Sequence, residues 1–336
     1  MVRFVIDAFG GDNAPAAIID GCIEAIESHD DISITLCGNE DILRHDLARR
    51  IYDRSRLCIV HAPDIISCDE SPTLAIKRKK NSSLVTGLRI LADKEADCFI
   101  SAGSTGAVLA GATFIVKRIP GVKRPALAPI LPTIKGPAML IDCGANVDCK
   151  SEYLEQFALM GTSYMNCVVG LSTPRVALIN NGTEEGKGNE LAKQTFPLLK
   201  ANEHINFIGN CEARDIMSGD YDVLVCDGFV GNVALKSMEG AVAALMKLLK
   251  NEISSKKRSK FGALFCRNAF RELKKRMDYT EYGGAPLLGV NGCIIKAHGS
   301  SDAHAIASAI GQGRKLFLGG ITEKIASKIP AAEDSE

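Results

Sequence analysis

The chain contains no tryptophan and only 5% aromatic residues, so stacking on nucleic-acid bases is not its main means of recognition. Its 40 basic and 40 acidic residues cancel, which removes any global attraction to nucleic acid or to a membrane. A basic recognition surface therefore has to be local. No apolar stretch is long enough to span a bilayer. The opening apolar run meets Asp7 before a signal-peptide core could form, and the expectation is a cytoplasmic protein. The 12 cysteines stand at irregular spacings, several of them inside apolar runs (Cys22, Cys37, Cys98, Cys226), and no Cys-x-x-Cys pair occurs. They read as small buried hydrophobes in a reducing compartment rather than as metal ligands or disulfides. Internal repeats and low-complexity linkers are absent as well.

What the chain does have is a repeated device: a short apolar run that ends in a glycine-rich loop bearing Asp, Asn, Ser or Thr. Val2–Ile6 runs into Asp7, Gly10, Gly11 and Asp12, and Cys98–Ile100 runs into Ser101, Gly103, Ser104, Thr105 and Gly106. Ala138–Ile141 leads to Asp142, Gly144 and Asn146, and Val176–Ile179 leads to Asn180, Gly182, Gly186, Lys187 and Gly188. Val223–Cys226 precedes Asp227, Gly228 and Asn232, and Cys293–Lys296 precedes His298 and Gly299. In an open α/β sheet the carboxyl ends of the strands face the ligand crevice. Glycine there lets backbone amides approach an anion, and a helix beginning just beyond adds its positive end. The device points to a site for an anionic, phosphate-bearing reactant.

The alternation of these runs with helical patterns predicts a doubly wound, three-layer α/β/α sandwich. Strands are expected near 2–6, 32–37, 57–61, 97–101, 138–142, 175–180, 205–209 and 222–227, with a closing hairpin at 287–296. Helices are expected near 14–28, 40–52, 71–93, 104–118, 151–169, 187–200, 229–252, 261–277 and 302–318. One domain over 1–329, with a helical hairpin protruding at about 250–278 and a flexible tail at 330–336, accounts for the pattern. Val230–Leu249 is apolar on nearly every face and should be buried or shared between subunits. The next helix carries Phe265, Phe270, Leu273 and Met277 on one side and Arg267, Arg271, Lys274 and Lys275 on the other. Phe261 and Leu264 sit beside that stripe. A basic amphipathic helix suits either a membrane surface or a partner subunit.

Two familiar phosphate signatures are excluded. The 180–188 loop has neither the P-loop spacing nor a Ser or Thr after Lys187, and no Gly-x-Gly-x-x-Gly follows the first strand. Ser101–Gly106 opens directly into a helix and offers more hydroxyls than one cap needs, which favours an oxyanion cradle over simple capping. Asp7, Asp12, Asp142, Asp148 and Asp227 have no histidine cluster beside them, and some must cap helices or satisfy loop amides, so a metal is not the favoured reading. His298 suits a proton donor or a structural loop residue equally. The run Lys77–Lys80 is either a solvated face or a dock for an acidic protein.

Taken in order, these segments resemble one family over almost the whole chain: the bacterial phosphate acyltransferases of phospholipid synthesis. The matching motifs are Ile6–Asp12, Ser101–Gly106, Arg124–Pro129, Asp142–Asn146, Gly182–Glu190, Gly209–Arg214, Cys226–Asn232, Tyr282–Gly289 and Lys296–Ser301. The resemblance implies a fold like that of isocitrate dehydrogenase and phosphotransacetylase, a homodimer, and peripheral membrane association. It implies transfer of a fatty acyl group from acyl-carrier protein to inorganic phosphate, giving acyl-phosphate for a downstream glycerol-3-phosphate acyltransferase, with no cofactor and no nucleic acid. In that scheme Ser101, Gly103, Ser104, Thr105 and Gly106 cradle phosphate, and Lys187 supplies a cation. Asn146, Asn180, Asn232 and His298 donate toward the carbonyl oxygen or the leaving sulfur. Asp7, Gly10, Gly11, Asp12, Asp142, Asp227 and Gly228 shape the loops, and Phe261, Leu264, Phe265 and Phe270 contact the membrane or the dimer mate. Asn13 stands where the family usually has His, and Ser104 where it usually has Asn. The rival readings are a coenzyme-A-dependent phosphotransacylase and a non-enzymatic lipid-binding protein. A dehydrogenase of the same fold lacks support without a dinucleotide signature.

Overall fold

The computed structural model describes residues 1–255, 257–277 and 283–329, except for the side chains at 257, 260, 261, 264 and 274–277. The expected tail at 330–336, Tyr282 and the side chains of Phe261 and Leu264 lie outside the described residues. The strands are β1 (Val2–Asp7), β2 (Ile32–Gly38), β3 (Leu57–His61), β4 (Cys98–Ser101), β5 (Ala126–Leu127) and β6 (Ile130–Thr133). They continue with β7 (Gly136–Ile141), β8 (Arg175–Asn180), β9 (Asn206–Glu212), β10 (Val223–Val225), β11 (Ala285–Leu288) and β12 (Cys293–Lys296). The helices are α1 (Ala16–Ser28), α2 (Glu40–Leu47), α3 (Pro72–Arg78), α4 (Ser83–Ala92), α5 (Thr105–Gly111) and α6 (Ser151–Tyr164). After them come α7 (Glu190–Ala201), α8 (Gly228–Ser255), α9 (Lys257–Phe265), α10 (Arg267–Met277), α11 (Ala303–Leu318) and α12 (Ile321–Lys328).

The α/β sandwich is present, with its strands divided between two sheets. The first has the order β3-β2-β1-β4-β12-β11-β5, parallel from β3 through β12 and antiparallel at β11. The second runs β6-β7-β10-β8-β9, parallel except at β6. Pleating sends alternate residues to opposite faces. Phe4 and Ile6 pack with Ile19, Ile306 and Ile310 of α1 and α11, in a core that continues to Phe157, Met160 and Val223 of the second sheet. Val5, Phe99 and Ile294 pack on the other face against Leu84, Leu88 and Val108 of α4 and α5. Burial on both faces explains why these parallel strands read as unbroken apolar runs.

Several boundaries differ from expectation. The helix predicted over 71–93 is two helices: Lys79 leaves the helical region at φ −96° and ψ 64°, and the Ser82 hydroxyl then caps α4 by accepting from the Val85 amide at 3.3 Å. The short strands β5 and β6 and the helix α12 were not anticipated. The predicted 261–277 helix divides at Cys266 into α9 and α10. Within this chain α8 is not buried as expected. Only Gly228 and Gly231 are, while Leu245 and Leu248 are 65% and 62% exposed.

Candidate active site

The carboxyl ends of the two sheets border an open cleft of about 530 Å³. The first sheet contributes Gly103, Ser104 and Thr105 after β4, and Lys296 through Gly299 at the end of β12. From the second come Cys143 and Gly144 after β7, with Asn232, Lys236 and Glu239 on α8. Leu127, Pro129, Ile130 and Leu235 supply an apolar wall. The cleft thus joins polar donors and two lysines to an apolar flank, in a volume ordinary for a ligand site.

On the first sheet, β1, β4 and β12 are adjacent, so Asp7, Ser101 and Lys296 end neighbouring strands; Lys296 is in register with Ser101. The Ser101 hydroxyl donates to Asp7 Oδ2 at 2.7 Å and accepts from the Gly103 amide at 3.0 Å, which folds the loop back over the strand end. Burial pushes the Asp7 carboxyl above its ordinary value, against hydrogen bonds from Ser83, Ser101 and the Phe9 amide and the charge of Lys296. Gly10 lies flat on this cluster, where a Cβ would come within 2.6 Å of both Asp7 Oδ2 and the Gly103 nitrogen. Gly11 turns the chain at φ +100°, and the Asp12 amide donates to the Gly299 carbonyl at 2.7 Å. Ser104 caps α5, its Oγ accepting from the Ala107 amide at 3.4 Å. Gly106 faces Pro72 rather than the cleft, with room there for no Cβ.

The second edge is organised differently. Asp142 is fully buried and accepts from the Leu127, Ala145 and Asn146 amides at 2.9, 3.2 and 2.7 Å, and from Asn146 Nδ2 at 2.9 Å. Burial raises its pKa while these bonds hold it down. Asn146 Nδ2 also donates to the Pro125 carbonyl at 2.8 Å, so Asn146 ties loops together rather than facing the cleft. Asp227 starts α8 by accepting from the Val230 amide at 2.8 Å, and the Gly228 amide donates to the Asn146 carbonyl at 2.7 Å. That docking carries Asn232 to the cleft.

His298 lines the cleft opposite α8. Its Nδ1 lies 3.2 Å from the Ser300 amide and 2.8 Å from the Ser300 hydroxyl; when Nδ1 accepts from both, the neutral ring carries its proton on Nε2. Desolvation first, and then the charge of Lys236, lowers its pKa, so the ring is neutral at neutral pH. Asn13 secures this loop, its Nδ2 donating to the Ser300 and Ser301 carbonyls at 3.1 and 3.2 Å.

Lys187 was expected to supply the cation, and the structure does not bring it there. Asn180 ends β8 and Lys187 lies on the loop after it; β10 separates this strand from β7, and neither residue lines the cleft. Lys187 is exposed, and Asn180 shapes its own loop by donating to the Lys187 carbonyl at 3.1 Å. The cations that line the cleft are Lys236, paired with Glu239 at 2.8 Å, and Lys296. Lys296 was missed. It is only 8% exposed, and burial pushes its ammonium down to about 8 against the pull of Cys68, Asp7 and Asp12. The signal was available: a lysine closing an apolar run that is buried on both faces has to end inside the fold. Among the described residues no group of three or more His, Cys, Asp or Glu side chains is placed to hold a metal ion.

The family model described as "Fatty acid synthesis protein" matches residues 2–324. The chain belongs to that family. It is 49% identical over 331 residues to a phosphate acyltransferase of Clostridium perfringens, covering 97% of this chain and 98% of the relative. It is also 49% identical to the phosphate acyltransferase of Clostridium novyi, over 98% of each chain. A phosphotransacetylase from Streptococcus pyogenes shares the fold, with a TM-score of 0.61 over 94% of each chain at 14% identity. The family match therefore spans both sheets and both edges of the cleft.

Proposed function

We infer that the protein is a phosphate acyltransferase that moves a fatty acyl group from the thioester of acyl-carrier protein to inorganic phosphate. The observation that carries this reading is the cleft itself, where an edge of hydroxyls, amides and lysines adjoins an apolar wall, in a chain so similar to phosphate acyltransferases. A phosphate oxygen attacks the thioester carbonyl carbon, the carbon–sulfur bond breaks, and the departing thiolate takes up the proton that phosphate loses. Neither partner needs an activated protein nucleophile, so catalysis rests on positioning and on stabilising the oxyanion. Gly103, Ser104 and Thr105, supported by Ser101, cradle the phosphate, and Asn232 and the Nε2–H of His298 donate toward the carbonyl oxygen. Losing one such donor typically costs about two to three orders of magnitude in rate.

The carrier docks on the basic residues of α3. Lys77 and Arg78 in its last turn and Lys80 just beyond it are exposed, on the segment that follows Cys68 of the cleft lining, whereas Lys79 turns in to Glu70 at 2.7 Å. The apolar residues left open on α8, among them Phe229 and Val233, suit a homodimer contact. Phe265, 78% exposed, and half-buried Phe270 suit peripheral attachment to the cytoplasmic membrane face, where a glycerol-3-phosphate acyltransferase would consume the product. No described helix is long and apolar enough to cross a membrane.

The test is thiol release from palmitoyl-acyl-carrier protein with and without inorganic phosphate. Phosphate-dependent release with acyl-phosphate formed is expected. Binding of the acyl ligand without release would overturn the reading in favour of a lipid-binding protein. Equal release from palmitoyl-coenzyme A would instead identify a coenzyme-A phosphotransacylase.

A further inference from the structure

We propose that Lys296 is the residue that binds the substrate phosphate, its ammonium meeting the anion across the cleft floor from the hydroxyls and amides of residues 101–105. The proposal rests on the phosphate acyltransferase reading and assigns its cation. Lys296 lines the cleft, yet its residue surface is only 8% exposed. Among the described residues its one hydrogen bond is from Nζ to the Ala297 carbonyl, and no carboxylate lies within ion-pair range. Two of the three ammonium donors are therefore without a protein partner among the described residues. A buried charge left in this state is costly unless a ligand completes its shell. The neighbouring lysine, Lys236, already has Glu239 as its counter-ion at 2.8 Å, and Lys187 is exposed on the outer loop.

The groups that face Lys296 fit an anion site that is kept ready but not self-neutralised. Asp7 at the end of β1, Asp12 on the following loop and Cys68 favour the ammonium, while Lys236 of α8 disfavours it. Burial outweighs them and brings the ammonium down to about 8. Phosphate affinity that depends on this charge is full below that pH and falls as pH rises through it. Bound dianion restores the proton, so above pH 8 binding is accompanied by proton uptake.

The experiment is calorimetry of inorganic phosphate binding to the full-length protein at neutral and alkaline pH, in buffers of different ionisation enthalpy. Wild type should take up about one proton per phosphate on the alkaline side. Lys296→Met should weaken binding about ten- to a hundredfold and abolish the uptake. Lys296→Arg keeps a cation that does not titrate, and should bind at neutral pH without alkaline uptake. Cooperative melting of both variants checks the fold. Wild-type affinity or persistent uptake in Lys296→Met would overturn the proposal, as would absence of phosphate binding by the wild type at tens of millimolar. Phosphate binding that depends on Lys296 without any thiol release would instead overturn the acyltransferase reading and leave this site standing.

Discussion

Asp7 ends β1 and Asp142 directly follows β7, each is buried, and burial raises the pKa of both, yet they hold different partners. Asp7 meets two hydroxyls, one amide and the charge of Lys296. Asp142 meets three backbone amides and the Asn146 side chain. Hydroxyl groups rotate and can reverse a hydrogen bond; backbone amides cannot. The first sheet's edge is therefore adaptable and coupled to a titrating lysine. The second is a rigid frame that fixes where α8 starts and hence where Asn232 and Lys236 reach the cleft.

The largest effect should come from the frame. A Cβ on Gly231 would lie 1.9 Å from the Asp142 carbonyl oxygen, so Gly231→Ala must displace either α8 or the strand end. We expect a loss of at least about 3 kcal/mol, or no soluble protein, read from a urea midpoint. Gly240 on the same helix has open space around it in this chain, and Gly240→Ala should gain about 0.5–1 kcal/mol from helix propensity. Destabilisation there would reveal a second copy packed on that face, and so sharpen the dimer reading.

The aspartates should separate next. Asp142→Asn puts an amide donor where backbone donors point and should cost about 2–4 kcal/mol. Asp7→Asn should stay within about 1 kcal/mol, because its hydroxyl partners can turn to accept. Its sign is helped by linkage: a carboxyl raised by burial costs the fold stability as pH rises from its ordinary value through its folded value, and the amide removes that penalty. Asp7→Asn also removes a charge that holds Lys296 protonated, so the alkaline limb of phosphate binding should move to lower pH. The limb should not move in Asp142→Asn. Equal stability losses in the two variants, measured by denaturant titration, would break the comparison.

Much of this contrast lay beyond the reach of the sequence, although its strands did not. Val2–Ile6 or Ala138–Ile141 is unmistakable as a buried strand, but an apolar run carries no mark of its neighbour. Nothing in β10 announces that it pairs with β7 and β8 in a separate sheet. That partition decides which loops share a cleft, and it is why Ser104, Thr105, Asn232 and His298 line it while Lys187, one strand further out, does not. The glycine loops look alike in sequence because glycine serves both for close approach to an anion and for close approach of backbone to backbone. Gly231 belongs to the second kind, and only the distance to Asp142 says so. Lys296 was overlooked for the opposite reason, since lysine is ordinarily a surface residue and its burial follows from the strands on either side.

The smallest predicted effect tests how the adaptable edge is held. Asn13 donates to two carbonyls of the His298 loop, at 3.1 and 3.2 Å, from a solvent-exposed position. Neutral bonds at the surface contribute about 1 kcal/mol at most, so Asn13→Ala should barely shift the denaturation midpoint. Its consequence should instead appear in turnover, because Ser300 sets the His298 tautomer through its amide and a looser loop orients Nε2 less often. We expect a fall in kcat of about three- to tenfold with little change in the KM for phosphate, which Lys296 and the 101–105 loop would govern. Asn13→His can still donate to one of the two carbonyls and should recover most of the rate. An equal fall in both variants would mean that Asn13 holds the loop by a bidentate grip that no imidazole reproduces, making this edge more rigid than its hydroxyl-rich partners suggest.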